Sequence, residues 1–271
     1  MLIAQLSDLH IKLPGRLAYK KVDTAAMLAE AVRRLNALVP RPDLLLITGD
    51  LTDIGSPEEY AWLRELLAPL TMPMFVVPGN HDEREGMRAA FADGGYFPEQ
   101  GFLNFAVDCG DLRLLGLDTL VPGQGGGAVC AERLAWLDDA LRAAPDTPTL
   151  LLMHHPPFLT GIGHMDRIGL QGREAVAEVL AKHPQVRRVL CGHLHRTIVT
   201  AVGGRMAMTC PSPAHQVVLD LRDEAPSQFN MEPPGFMLHT WADGILTSHA
   251  AVIGDFAGPF PFFDAAGNLI D

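Results

Sequence analysis

"VVPGNHDE", Val76 to Glu83, breaks an apolar run at Pro78-Gly79 and then sets Asn80, His81 and Asp82 in direct succession. Pro-Gly-Asn alone is enough to turn a chain, so a turn does not account for the histidine and carboxylate that follow. The same punctuation recurs along the chain. Near-continuous apolar runs stand at Leu2–Leu6, Leu44–Thr48, Met74–Val77, Leu150–Met153 and Val189–Cys191. Such runs, unlike alternating ones, read as strands covered on both faces. The first ends in Ser7-Asp8-Leu9-His10 and the second in Gly49-Asp50. The third ends in Gly79-Asn80-His81-Asp82, the fourth in His154-His155-Pro156 and the fifth in Gly192-His193-Leu194-His195.

Between the runs lie stretches of helical period. Val22–Leu38 carries Met27, Leu28, Val32, Leu35 and Leu38. Pro57–Leu70 opens on Ser56 as cap, with Pro57 first and Glu58-Glu59 in the first turn. Glu132–Ala143 and Arg173–Lys182 read the same way. Cys109-Gly110-Asp111, between Asn104–Asp108 and Leu112–Leu117, reads as a hairpin turn. Strands alternating with helices give an α/β layered domain with helices on both faces. Beyond His195 the texture changes to short β-like pieces, Val217–Leu221, Phe236–Trp241 and Ile245–Val252. A tail, "FAGPFPFFDAAG", follows. Four exposed phenylalanines there would be a liability, so the tail is expected to pack on the body or on a neighbouring subunit.

The whole chain limits what this arrangement can serve. Its 271 residues suffice for a full core, and 48% hydrophobic with 20% charged residues is the balance of a folded protein. No apolar run approaches the roughly 18 residues of a membrane span. The N-terminus reaches Ser7-Asp8 too soon for a signal peptide and lacks a basic segment, which predicts a cytoplasmic protein with no membrane partner. A net charge of −11 argues against a nucleic-acid polymer as partner. Cys109, Cys130, Cys191 and Cys210 form no C-x-x-C pair, so thiolate zinc patterns are excluded and reduced cysteines are expected.

In open α/β sheets ligands bind at the carboxyl ends of strands, where each run here delivers Asp, Asn or His. Carboxylate, imidazole and amide oxygen without thiolate suit Mn, Fe, Co or Zn. The donors are too many for one ion, so two divalent ions are expected. Asp8 and His10, two apart, can share one side of an extended segment, and His193 and His195 repeat that spacing. Two ions about 3.5–4 Å apart can bind a phosphoryl oxygen and bring a bridging water to a pKa of roughly 7. Their four positive charges would exceed the two negative charges of Asp8 and Asp50. Asn80 donates oxygen without adding charge, so the site stays positive inside an acidic protein.

In this order the D-x-H, G-D, G-N-H-D, H-H and G-H-x-H blocks resemble the calcineurin-like metallophosphoesterases across roughly residues 1–200. Within that superfamily the chain is similar to bacterial class III cyclic-nucleotide phosphodiesterases and their glycerophosphodiesterase relatives. "LAYKKVDTAAML" and "PSPAHQ" share that similarity. The resemblance implies a layered β-sandwich flanked by helices over residues 1–200. It also implies a small β-rich cap or oligomerisation region over 201–271, part of it packing back on the core. Asp8, His10, Asp50 and His195 would hold one metal, and Asp50, Asn80, His154 and His193 the other, with Asp50 bridging. The family places the G-N-H histidine near the phosphate, so His81 is the expected catalytic residue, with Asp82 available to orient it.

Further histidines fall into place around this set. His215 is a substrate-side candidate with Asn80, His155 a support for its neighbour and His164 a residue of the pocket mouth. His183, His239 and His249 read as surface or packing residues.

The activity implied is hydrolysis of small phosphodiesters, 3′,5′-cyclic nucleotides or glycerophosphodiesters, by hydroxide, in a homo-oligomer. The alternatives are a phosphomonoesterase or protein phosphatase of the same superfamily and a non-catalytic scaffold. Protein phosphatases follow G-D-x-x-D with Arg-Gly, where this chain has Ile54-Gly55; Arg84 is the nearest substitute for that cationic clamp. A scaffold would be expected to lose ligands, and here every ligand position is filled.

Overall fold

Leu2–Leu6 (β1), Leu44–Ile47 (β2) and Met74–Val76 (β3) run parallel in one sheet. Phe105–Cys109 (β4) and Leu112–Leu117 (β5) form the expected hairpin. With Thr149–Met153 (β6), Val186–Cys191 (β7), Val199–Val202 (β8) and Arg205–Thr209 (β9) they build a second sheet. Gly235–Ala242 (β10) and Ile245–Val252 (β11) return to the first, where β10 pairs antiparallel with β1. The sheet orders are β11-β10-β1-β2-β3 and β8-β9-β7-β6-β5-β4. This computed structural model describes residues 1–270.

The layers follow from burial. Ile3, Leu44, Leu46 and Phe75 of the first sheet meet Leu112, Leu114, Leu150, Leu152 and Leu190 of the second. The opposite face of the first sheet packs on Thr24–Ala37 (α1), Pro57–Leu67 (α2) and Arg84–Ala90 (α3). Ala131–Arg142 (α4) and, beyond the short turn Gly163–Asp166 (α5), Arg173–Lys182 (α6) cover the second sheet. Each inner strand is therefore apolar on both sides, with helices on one and the other sheet on the second. Ser56 caps α2 by accepting from the Glu59 amide, with Pro57 at the first position.

The apolar runs divide between two sheets that pack face to face, the layered sandwich flanked by helices that was expected. The structure departs from the sequence-based expectation in two places. Of Val217–Leu221 only Val217 is strand, in the two-residue piece Gln216–Val217 paired with Phe229–Asn230. The tail does not pack on the body: Phe256, Phe260, Phe262 and Phe263 are 64, 74, 79 and 57% exposed. Its turn is closed instead by polar contacts, Asp264 accepting from the Ala266 and Asn268 amides at 2.8 Å each. No helix among the described residues is long and apolar enough to cross a membrane.

Candidate metal centre

The carboxyl ends of β1, β2, β3, β6 and β7 converge at one edge of the sandwich. Asp8 and His10 follow β1, Asp50 follows β2 and Asn80 and His81 follow β3. His154 follows β6, and His193 and His195 follow β7. The D-x-H pairs are not extended as their spacing suggested. Asp8, His10, Asp50, His193 and His195 have φ of 57°, 46°, 50°, 71° and 52°. Left-handed backbone costs a non-glycine residue about 1–2 kcal/mol, and strain of this kind gathers at functional sites. Gly79 allows the strand ends to close up, because a Cβ there would lie 2.8 Å from Cγ of Asp50.

The imidazoles of His154, His193 and His195 are each aimed by what the other ring nitrogen does. Nδ1 of His154 donates to the Thr48 carbonyl at 2.8 Å, leaving Nε2 3.2 Å from Oδ1 of Asn80 and 3.4 Å from Oδ2 of Asp50. Nδ1 of His195 donates to the His215 carbonyl at 2.9 Å, and Nε2 of His193 to the Ile168 carbonyl at 3.1 Å. His195 thus turns Nε2 inward, where it lies 3.1 Å from Nε2 of His10 and 3.6 Å from Oδ1 of Asp8. Backbone carbonyls that fix the tautomer in this way are the usual outer support of ligating histidines.

These groups fit a pair of cations. Asp8, His10 and His195 could hold one ion, and Asp8, Asp50 and His154 form an overlapping group. The site is buried, and Oδ2 of Asp8 has no hydrogen-bond partner. Burial raises the Asp8 carboxyl to about 7, with Asp50 adding to the rise and His154 opposing it. Burial also opposes ionisation of Asp50, but His154, His81 and His10 hold its carboxyl well below the carboxylate range. Burial pushes His193 down to about 3 and His195 to about 4, so both stay neutral and free to ligate. Crowded carboxylates with the neutral imidazoles of His193 and His195 and one unsatisfied oxygen make a site that divalent cations complete.

His155 forms a further histidine group with His154 and His193, but both its nitrogens are engaged. Nδ1 lies 2.8 Å from the Thr119 hydroxyl and Nε2 3.3 Å from the Gly125 carbonyl. His81 is half-buried, and its Nδ1 donates to the Asp53 carbonyl at 2.7 Å. Burial lowers its pKa, but Asp50 and the Asp53 carbonyl outweigh that and raise it. Asp82 does not orient His81 as expected. Its carboxylate instead accepts from the Leu51, Thr52 and Gly79 amides and the Tyr60 hydroxyl. It ties the β3 loop to the β2 loop.

A cleft of about 340 Å³ opens on the centre. His81, His164 and His215 line it as expected, joined by Tyr19, Ile168, Val217 and Phe229, which the sequence did not single out. Burial lowers His215 to about 3, leaving a neutral ring whose centroid is 4.5 Å from that of His195. Arg84 is occupied elsewhere. Its Nε and Nη2 grip the buried Asp118 carboxylate at 2.7 and 3.0 Å, and Nη2 reaches the Leu120 carbonyl at 2.6 Å. His239, buried in the first sheet, lies 3.0 Å from Gln5 Oε1 and 2.8 Å from Ser248 Oγ, a packing residue as read.

The calcineurin-like phosphoesterase profile matches residues 1–197. A protein of Arcobacter nitrofigilis named "Probable glycerophosphodiester phosphodiesterase GpdQ" is 43% identical over all of both chains. A 3′,5′-cyclic adenosine monophosphate phosphodiesterase of Pseudomonas aeruginosa is 36% identical over 80% of this chain and 77% of its own. A dimetal phosphatase from Danio rerio shares the fold at a TM-score of 0.66 and 15% identity, over 94% of this chain and 97% of its own. With two overlapping donor clusters at the converged strand ends and a profile spanning most of its length, the chain belongs to the calcineurin-like phosphoesterase family and is a metal-dependent hydrolase with a binuclear centre.

Proposed function

We propose that this hydrolase cleaves small phosphodiesters. The observation that carries the reading is the cleft wall: among the described residues it includes imidazoles, aromatic and aliphatic groups but no lysine or arginine. A monoester dianion calls for cationic donors beyond the metals, whereas a diester monoanion is balanced by the metals and one or two histidines. Ile54 stands where phosphatases carry arginine, and Arg84 is committed to Asp118.

In this reading Asp8, His10, Asp50 and His195 hold one ion and Asp50, Asn80, His154 and His193 the other. Ions bound there supply Lewis acidity and lower the pKa of water. The chain itself supplies His81, whose Nδ1 is held by the Asp53 carbonyl so that Nε2 faces the cleft. There it can donate to a phosphoryl or departing ester oxygen. Asn80 and His215 flank the substrate. The relatives' names favour glycerophosphodiesters and 3′,5′-cyclic nucleotides, which share the diester monoanion. A net charge of −11 favours these over nucleic-acid polymers. The reading includes a cytoplasmic homo-oligomer, with residues 1–200 as the catalytic core and 201–271 carrying cap and subunit contacts, part of it packing back on the core.

The test compares kcat/KM for bis(p-nitrophenyl) phosphate and p-nitrophenyl phosphate across pH on the metal-loaded enzyme. The diester is expected to be the better substrate, and equal or faster monoester turnover throughout would overturn the reading. The same assay on a glycerophosphodiester and a 3′,5′-cyclic nucleotide then ranks the two classes.

A further inference from the structure

Five of the proposed ligands sit on left-handed backbone, so something must hold them there. For Asp8 and His195 that support comes from the 210–216 segment, which crosses behind both. The Cys210 amide donates to the Cys191 carbonyl at 2.9 Å, and the Ser212 amide to the His195 carbonyl at 3.3 Å. The Ser212 hydroxyl donates to the Asp8 carbonyl at 2.9 Å while accepting from the Ala214 amide at 3.0 Å, which fixes the direction of its proton. The Ser212 carbonyl accepts from Gln216 Nε2 at 2.9 Å and from the Gly235 amide at 3.0 Å, anchoring the segment to the start of β10. Three residues further on, the His215 carbonyl accepts from Nδ1 of His195. Ser212 is fully buried and touches neither cleft nor metal position.

We infer that Ser212 is a positioning residue for one ion of the pair, its hydroxyl and amide holding the backbone of Asp8 and His195 so that their side chains converge. The inference rests on the assignment of Asp8 and His195 to the same ion. Outer-shell supports of this kind change metal affinity by about 10–100-fold. The second ion's other ligands, Asn80, His154 and His193, follow β3, β6 and β7 and make no hydrogen bond to Ser212; only His193 is linked to it at one remove, its amide donating to Oδ1 of Asp8 at 2.9 Å. Loss of the Ser212 hydroxyl therefore affects the two ions unequally, which a general loosening of the fold would not do.

The experiment titrates metal-free protein with Mn²⁺ by calorimetry, alongside thermal melts of the metal-free forms. Ser212→Ala is expected to weaken one ion by about 10–100-fold and leave the other within about twofold. The weakened ion should be the one lost in Asp8→Asn. Gln216→Leu removes another buried hydrogen bond of the same segment without touching a ligand's backbone; it should lower the melting temperature and leave both affinities in place. Equal weakening of both ions in Ser212→Ala, unchanged affinities, or the same selective loss in Gln216→Leu would each overturn the inference. If Asp8→Asn keeps both ions, the ligand assignment itself has failed, and the inference falls with it.

Discussion

At the scale of single residues, Asn80 and His81 are neighbours with separate tasks. Oδ1 of Asn80 faces Nε2 of His154 across 3.2 Å, whereas the His81 ring is held through Nδ1 by the Asp53 carbonyl at 2.7 Å. His81→Ala is therefore expected to lower kcat by about 10²–10⁴-fold with both ions retained, while Asn80→Ala should weaken one ion. Elemental analysis beside turnover separates the two, and metal loss in His81→Ala would place that ring among the ligands. The identity of the donors was legible in the sequence because each is fixed by type and by its position after an apolar run. Their aim was not. It depends on the carbonyls of Thr48, Ile168, Asp53 and His215, which any residue could supply, so no side-chain pattern marks them. The role of Asp82 is hidden for a related reason: its partners include the Leu51 and Thr52 amides of the β2 loop, distant in sequence and carrying no identity.

At the scale of elements, the inner strands were legible because burial on both faces leaves continuous apolar runs. The strands β8 and β9 went unread, since β8 is mostly exposed and its sequence, VTAV, is too short to show a period. How β10 joins β1 was likewise hidden, although it is sealed by a polar chain. Gln5 donates to Thr48 Oγ1 at 3.0 Å, and its Oε1 accepts from the buried His239, which also meets Ser248 of β11. Burial, then Arg188 and His249, depress His239 to about 3. Unfolded, it would titrate near 6.5. Stability from the neutral ring is thus present above about 6.5 and is lost as pH falls towards about 3, with an upper bound of about 5 kcal/mol. In metal-free protein, His239→Gln should lose less stability than the parent between pH 7 and pH 4, measured by urea unfolding. A parallel loss in both would mean that this ring titrates normally in the folded chain.

At the scale of the whole molecule, two sheets bring donors from distant parts of the chain to one edge, and the C-terminal hairpin closes the first sheet. The tail beyond Ile253 is different, for its phenylalanines are exposed and β11 is a long outer strand with little cover. Such a surface suits a second copy of the chain. Sedimentation at micromolar concentration is expected to give at least a dimer that dissociates on truncation after Gly254, and a monomer would contradict it. The binuclear centre itself is most directly tested by restoring activity to metal-depleted protein with stepwise Mn²⁺ and following hydrolysis of bis(p-nitrophenyl) phosphate. Activity should be absent at the start and level off at two equivalents per chain; full activity without metal, or a plateau at one equivalent, would contradict the account.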